Sequence, residues 1–208
     1  MASNPSLDTQ RAVDASRIED LVQTERLARD LLQWERMHSC FSNDAHIEMS
    51  WFKGSGFEFV EAAKRMSASG APAFHQMTPT VTRVNGSRAL AESGCAIHLR
   101  AHVAGAEADV VSHARYLTRV ERCGDAWLIC GLRAFYLRDM LVAADPTNPP
   151  RLSASKLNGY RPSYRYLSYL LEEQGHPVSN DLPGIDLPDS VATLVANEER
   201  WLSDGATR

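Results

Sequence analysis

Asp30 stands among apolar residues in the run Arg29-Asp30-Leu31-Leu32-Gln33-Trp34. On a helix, Leu27 three residues before it and Trp34 four after it share its face, and Phe41 returns to nearly the same angle. A carboxylate in an apolar stripe is costly unless something pairs with it. Two kinds of partner are available: a histidine, with His75 and His113 as the candidates, or a helix-edge arginine, Arg26 or Arg29. The histidine pairing is the one that does chemistry. A neutral imidazole near its intrinsic pKa suits removal of a proton from carbon beside a carbonyl or a leaving group. A carboxylate accepting its N–H selects the tautomer and stabilises the imidazolium that forms. With His75 as base, Asp30 as orienter and His113 donating a proton to a leaving hydroxyl, the set performs elimination without metal or cofactor. The same three residues could shift a double bond or close a ring by aldol addition.

Other polar sets carry less. His98 and His102 lie four apart on one strand and share a face, but no third ligand is near, so they read as surface. Cys40, Cys95, Cys123 and Cys130 have no C-x-x-C spacing, which removes the usual metal and dithiol readings. Buried free thiols in a reducing cytoplasm are the simplest account of them.

The elements that must position these residues follow from periodicity and turn signals. Residues 1–13 read as a flexible arm. Asp14 or Ser16 caps a helix running to about Phe41, apolar around much of its circumference and therefore embraced by other structure. Ala45 to Trp51 reads as a strand with Ile47, Met49 and Trp51 on one face, Lys53 to Gly56 as a turn, and Phe57 to Ala68 as a second amphipathic helix. Strands follow over His75–Val84, Arg88–Val103, Val110–Arg122 and Ala126–Leu137, with Asn85-Gly86, Gly105 and Gly124 in the turns. Two helices and a strand followed by three hairpins give an α+β domain over 14–140: a curved antiparallel sheet wrapped around the long N-terminal helix, with a cavity inside. Residues 141–208 form a C-terminal extension with helices over Tyr164–Gln174 and Pro188–Leu202, apolar enough that it must dock on the cone or on a neighbouring subunit.

Composition narrows the partners. A chain of 208 residues with 44% hydrophobic and 23% charged residues can bury one sizeable core. A net charge of -4, with no basic cluster among aromatics, gives no reason to expect nucleic acid. No apolar run reaches the length of a membrane span, and residues 1–10 lack a signal-type apolar core. The expected partner is a small molecule.

The order of elements resembles the NTF2-like or cystatin-like cone in its SnoaL-like branch, which includes scytalone dehydratase and the hexachlorocyclohexane dehydrochlorinase. Three stretches within Ile18–Arg138 carry the resemblance: Asp30 to Trp34 running on to Phe41-Ser42-Asn43-Asp44, then Phe74-His75 with Thr78 and Thr80, and Ser112-His113 up to Gly124-Asp125-Ala126-Trp127 and Gly131-Leu132. It implies an acid on the first helix and two histidines on the sheet, hence Asp30, His75 and His113 as catalytic residues. Trp34, Met49, Trp51, Tyr116, Arg133 and Phe135 are the candidate substrate-binding residues. The implied activity is a cofactor-free lyase acting on a small, largely apolar molecule, cyclic ones included. The alternatives are an isomerase or cyclase, or a non-catalytic NTF2-like assembly subunit. A homodimer or homotrimer follows by resemblance alone. Departures are also visible. Arg29 and Met49 stand where the dehydratase has its two water-holding tyrosines, and Glu25 stands where the dehydrochlorinase has a lysine.

Overall fold

The computed structural model describes residues 5–69, 73–176 and 178–204. The chain opens with a helix over Pro5–Asp30 (α1), followed by a short one over Trp34–His38 (α2). Strand Phe41–Met49 (β1) pairs antiparallel with Phe52–Ser55 (β2), and helix Gly56–Ser69 (α3) leads to strands Ala73–Met77 (β3) and Val81–Asn85 (β4). Three long strands then run over Arg88–Val103 (β5), Ala106–Cys123 (β6) and Ala126–Ala143 (β7). The sheet order is β2-β1-β7-β6-β5-β3, with β4 also paired to β5 and β1 parallel to β7. The extension adds helices Ala154–Gly159 (α4), Arg165–Glu173 (α5) and Pro188–Asp204 (α6).

Several expectations change. Residues 5–13, read as a loose arm, belong to α1, while residues 1–4 lie outside the described residues. Asp14 is inside the helix and does not cap it: its carboxylate accepts from Arg122 at 2.6 Å and from the indole Nε1 of Trp127 at 3.1 Å. The first helix does not run to Phe41. It stops at Asp30, the chain turns through Leu32 at φ 58°, and α2 restarts at Trp34. The apolar periodicity misleads here because its residues lie outside: Leu27, Leu31 and Leu32 are 48%, 55% and 56% exposed. The buried face runs through Ile18 and Val22 to Glu25, Arg26 and Arg29, so past its middle the inner face of α1 is charged.

The segment read as one strand from His75 is two. Pro79 has no N–H for a ladder, and the Thr78 hydroxyl accepts from Gly94 N at 2.9 Å, which turns the chain out of β3. A Cβ at Gly94 would stand 2.9 Å from the Thr78 methyl, so this turn needs glycine opposite it. The turn predicted at Asn85-Gly86 is present, with Gly86 at φ 61°. Two single-residue bulges in β7, at Cys130 and Leu137, bend the long strands around α1.

Inside the curve, Met37, Phe41, Ile47, Phe59, Ile129 and Leu132 form the main core. The extension packs on the chain's own cone in two places. α6 crosses the outer sheet face, where Leu194 and Leu202 meet Leu90 and Leu117, and the buried carboxylate of Glu198 pairs with Arg119 and Arg133. α5 lies over the open end of the cone and contributes Leu167 and Leu171 to the inner core. None of the described helices is long and apolar enough to cross a membrane. The four cysteines are unpaired; Cys40 and Cys95 are buried, while Cys123, expected inside, is exposed on the β6–β7 turn.

Candidate active site

Asp30 is the last residue of α1, and β3 runs past that helix end carrying His75. A carboxylate is disfavoured at a helix C-terminus, where the backbone dipole is negative. Two hydrogen bonds from His75 offset this: Nδ1 lies 2.6 Å from Asp30 Oδ1, and the His75 backbone N–H donates to Oδ2 at 2.7 Å. Both side chains are withdrawn from water, His75 to 5% and Asp30 to 15% exposure.

Burial alone would raise the Asp30 carboxyl, but the ring and backbone hydrogen bonds from His75 outweigh it and hold the group below the usual carboxylate range. Burial pushes the imidazole down to about 3; the Asp30 bond pulls it up, and the charges of Arg26 and Arg29 push it down further. The pair therefore rests as carboxylate and neutral imidazole. A carboxylate only accepts, so the ring proton is assigned to Nδ1, and Nε2 is left with its lone pair.

The ring of His75 faces a narrow cavity of about 40 Å³ inside the cone. That is room for a few water molecules. Met49, Trp51, Phe59 and Ile97 wall it, Leu167 and Leu171 of α5 close it, and Arg26, Arg29, Ser50 and Tyr116 supply polar groups. The Trp51 and Phe59 rings pack 5.4 Å apart. The Tyr116 phenol is buried and pushed well above its ordinary pKa, so it remains a hydroxyl donor. A larger groove of about 460 Å³ lies outside the cone between β7, residues 181–187 and α6. It is open to solvent, and its titratable lining residues are Glu48, Arg133, Asp181 and Asp189, whereas the smaller cavity is the one that the Asp30–His75 pair adjoins.

Of the residues singled out in the sequence, Asp30, His75, Met49, Trp51 and Tyr116 come together at this cavity. His113 does not. Ser112, Ala114 and Tyr116 point into the cone, and alternation along β6 puts His113 on the other face, in a groove with Thr78, Ala96 and Arg115. Arg133 and Phe135 are likewise on the outer face. Arg133 pairs with Glu48 and Glu198, and Phe135 packs under α6, while Leu132, Ala134 and Tyr136 are the inward residues of β7. Trp34, on α2, packs against the core from outside and borders a surface groove with Glu35 and Lys64. The arginine pairing considered for Asp30 does not form. Arg26 binds Glu25, with Nη2 2.6 Å from Oε2, and Arg29 bonds no carboxylate among the described residues. Sequence reasoning missed Arg26 and Arg29 as lining residues, although their i, i+3, i+4 spacing with Asp30 places all three on one helix face. It also missed Ser50 and the two leucines of α5; for the leucines no local signal existed.

Comparison with known proteins agrees with this architecture. A model of the SnoaL-like domain matches residues 10–133. A PEP2-like protein of Fusarium vanettenii is 34% identical over 160 residues, covering 75% of this chain and 69% of that protein. Pea pathogenicity protein 2 of the same species is 28% identical over 201 residues, covering 92% of this chain and 86% of that protein. Among solved structures, a type 2 hexachlorocyclohexane dehydrochlorinase (LinA) superposes with a TM-score of 0.60 at 18% identity, covering 70% of this chain and 99% of that one. A putative scytalone dehydratase from Novosphingobium aromaticivorans gives 0.54 at 13% identity, with coverage of 71% and 99%. An NTF2-like protein with a cystatin-like fold from the same genus and species gives 0.51 at 16% identity, with coverage of 73% and 92%. With a family model spanning more than half of its length and a cone of the NTF2-like, cystatin-like type, this chain belongs to the SnoaL-like domain family.

Proposed function

We propose that the protein is a cofactor-free lyase that eliminates a small leaving group from a small, largely apolar substrate, cyclic ones included, bound inside the cone. The observation that carries the reading is the Asp30–His75 pair, held at 2.6 Å beside the cavity inside the cone. His75 Nε2 takes a proton from the carbon next to the one that bears the leaving group; the C–H electron pair becomes the new double bond as the bond to the leaving group breaks, and the group departs as chloride, or as water once the imidazolium of His75 hands its proton to the leaving oxygen. Asp30 stabilises the imidazolium that forms, so the ion pair exists chiefly in the transition state, where stabilisation accelerates reaction. His113, outside the cone, has no part in it. The Tyr116 hydroxyl, in the wall of the same cavity, is a donor for the departing or developing charge. Dehydrochlorination and dehydration, the reactions named in the two structural relatives' descriptions, are both eliminations of this kind.

A second reading has its own support. His75 is the one histidine facing the cavity among the described residues, and isomerisation needs a single base that takes a proton and returns it. Both readings share the first step. In deuterium oxide, a panel of cyclic β-hydroxyketones and polychlorinated cyclohexanes, followed by proton NMR, should show loss of the proton next to the activating group. Release of water or chloride marks elimination, and exchange with a shifted double bond marks isomerisation. Exchange that persists unchanged in His75→Gln would remove the base from the proposal.

A further inference from the structure

Arg29 is buried to 7% exposure in the wall of the cavity. Its Nη2 lies 4.0 Å from the Met66 sulfur, and its guanidinium carbon sits 5.7 Å from the ring centroid of Trp51. The neighbouring charges are already engaged. Arg26 takes both oxygens of Glu25, at 2.8 Å and 2.6 Å from Nη2, and Asp30 spends both oxygens on His75. Arg29 is thus a buried cation whose planar fork of donors meets no carboxylate among the described residues. Burying such a group without a hydrogen-bonded counter-ion is costly, and folding alone gives no return for it. A ligand that supplies the acceptor does, because charge-assisted and bidentate pairs are strongest in a dry site.

We infer that the substrate carries a carboxylate or equivalent anionic oxygen group, which pairs with Arg29 inside the cone. This rests on the proposed function only in taking the dyad cavity as the binding site. The pairing also acts on the base. Arg26 and Arg29 both oppose a proton on His75, while Asp30 favours one, and Glu25 faces Arg26. On the strands Tyr116 and Cys95 face the same cluster as neutral groups, and α5 presents only Leu167 and Leu171. An anion on Arg29 cancels part of the positive field and makes the bound imidazole a stronger base than the empty one. Charge selection and base activation then come from one contact. The anion occupies the polar end of the cavity, and the rest of the substrate lies against Trp51, Met49 and Phe59; the space of about 40 Å³ widens to take it as the Leu167 and Leu171 side chains that close it shift outward.

The probes are benzoate and benzamide, which share shape and differ in charge. Titration calorimetry on the full chain should show benzoate binding about tenfold or more tightly than benzamide. Arg29→Met, which keeps length and removes the charge, should abolish that preference and raise the melting temperature of the ligand-free protein. Arg29→Lys should keep a reduced preference, since it restores the charge without the fork. Equal binding of the two probes, no benzoate binding at millimolar concentration, or a preference untouched in Arg29→Met overturns the inference. The lyase reading fails separately: His75→Gln can leave carbon-proton exchange intact while benzoate selectivity persists, or can abolish exchange while selectivity is absent.

Discussion

The carboxylate of Asp30 holds two atoms of His75 at once, the ring nitrogen Nδ1 at 2.6 Å and the backbone nitrogen at 2.7 Å. One carboxylate therefore sets both the register of β3 against the end of α1 and the tautomer of the ring. In Asp30→Asn the amide oxygen can still accept from the backbone, but its NH2 would face Nδ1 and force the proton to Nε2. Turnover should fall by about 10⁴-fold, as when a triad carboxylate is neutralised, with a small change in melting temperature. Steady-state kinetics beside thermal melts decide it, and a variant with wild-type turnover would end the base role of His75.

His113→Ala should leave turnover unchanged within about twofold, whatever the leaving group. Its ring lies on the outer face of β6, separated from the cavity by the sheet. The measurement is kcat on a substrate pair differing in leaving-group pKa. A selective loss on the poorer leaving group would restore the acid role that the register denies it.

The dyad makes folding sensitive to acid. His75 falls from an ordinary 6.5 to about 3 in the folded state, because burial and then the two arginines oppose its charge. Between those values the unfolded chain binds a proton that the folded chain does not, so stability rises with pH across this window. Asp30, held below the usual carboxylate range, adds to the loss as pH falls through its folded value. Thermal melts from about pH 4 to 7 should show a steeper rise for wild type than for His75→Gln. Parallel curves would mean that the imidazole is not buried in its neutral form.

Asp139 works in the opposite direction. Its Oδ2 accepts from the backbone of Leu167 at 2.8 Å at the start of α5, while Oδ1 is buried with no partner among the described residues. Burial pushes this carboxyl up to about 6, against hydrogen bonds from Leu167 and Tyr166 that favour the anion. A raised carboxyl pKa stabilises the fold below about 3.8 and loses that contribution as pH rises through about 6. Asp139→Asn keeps an acceptor for Leu167 without the charge. Its melting temperature should exceed that of wild type above pH 6 and converge with it in acid. A greater loss above pH 6 than in acid would show that the charge itself anchors α5.

Asp14→Ala should cost about 1–3 kcal/mol by leaving buried donors unpaired. The carboxylate joins α1 to β6 and β7 through Arg122 and Trp127, residues more than a hundred positions away in the chain. Urea unfolding measures the loss, and Asp14→Asn should recover part of it because the amide oxygen can still accept from the indole. An alanine variant as stable as wild type would make this link dispensable.

The strand over Arg88–Val103, the turn at Asn85-Gly86 and the start of the last helix at Pro188 follow from alternation, turn residues and helix-start signals that need only near neighbours. An acid on the first helix and a histidine on the sheet could be named as a pair by residue type and resemblance. The end of α1 could not, since Leu31 and Leu32 continue the apolar pattern without a glycine or proline, and Leu32 takes the left-handed position of the helix-ending turn, at φ 58° with Gln33 N–H donating to Ala28 O, where glycine would be the usual signal. Nor could the facing of the sheet residues. Side chains alternate with period two, so a difference of three positions puts His113 and Tyr116 on opposite faces, and only the pairing of strands says which face is inside. The charged inner face of α1 and the closing of the cone by Leu167 and Leu171 were decided by tertiary structure as well. Periodicity reports which residues share a side of an element, whereas the partner that each side meets depends on chain brought in from far away.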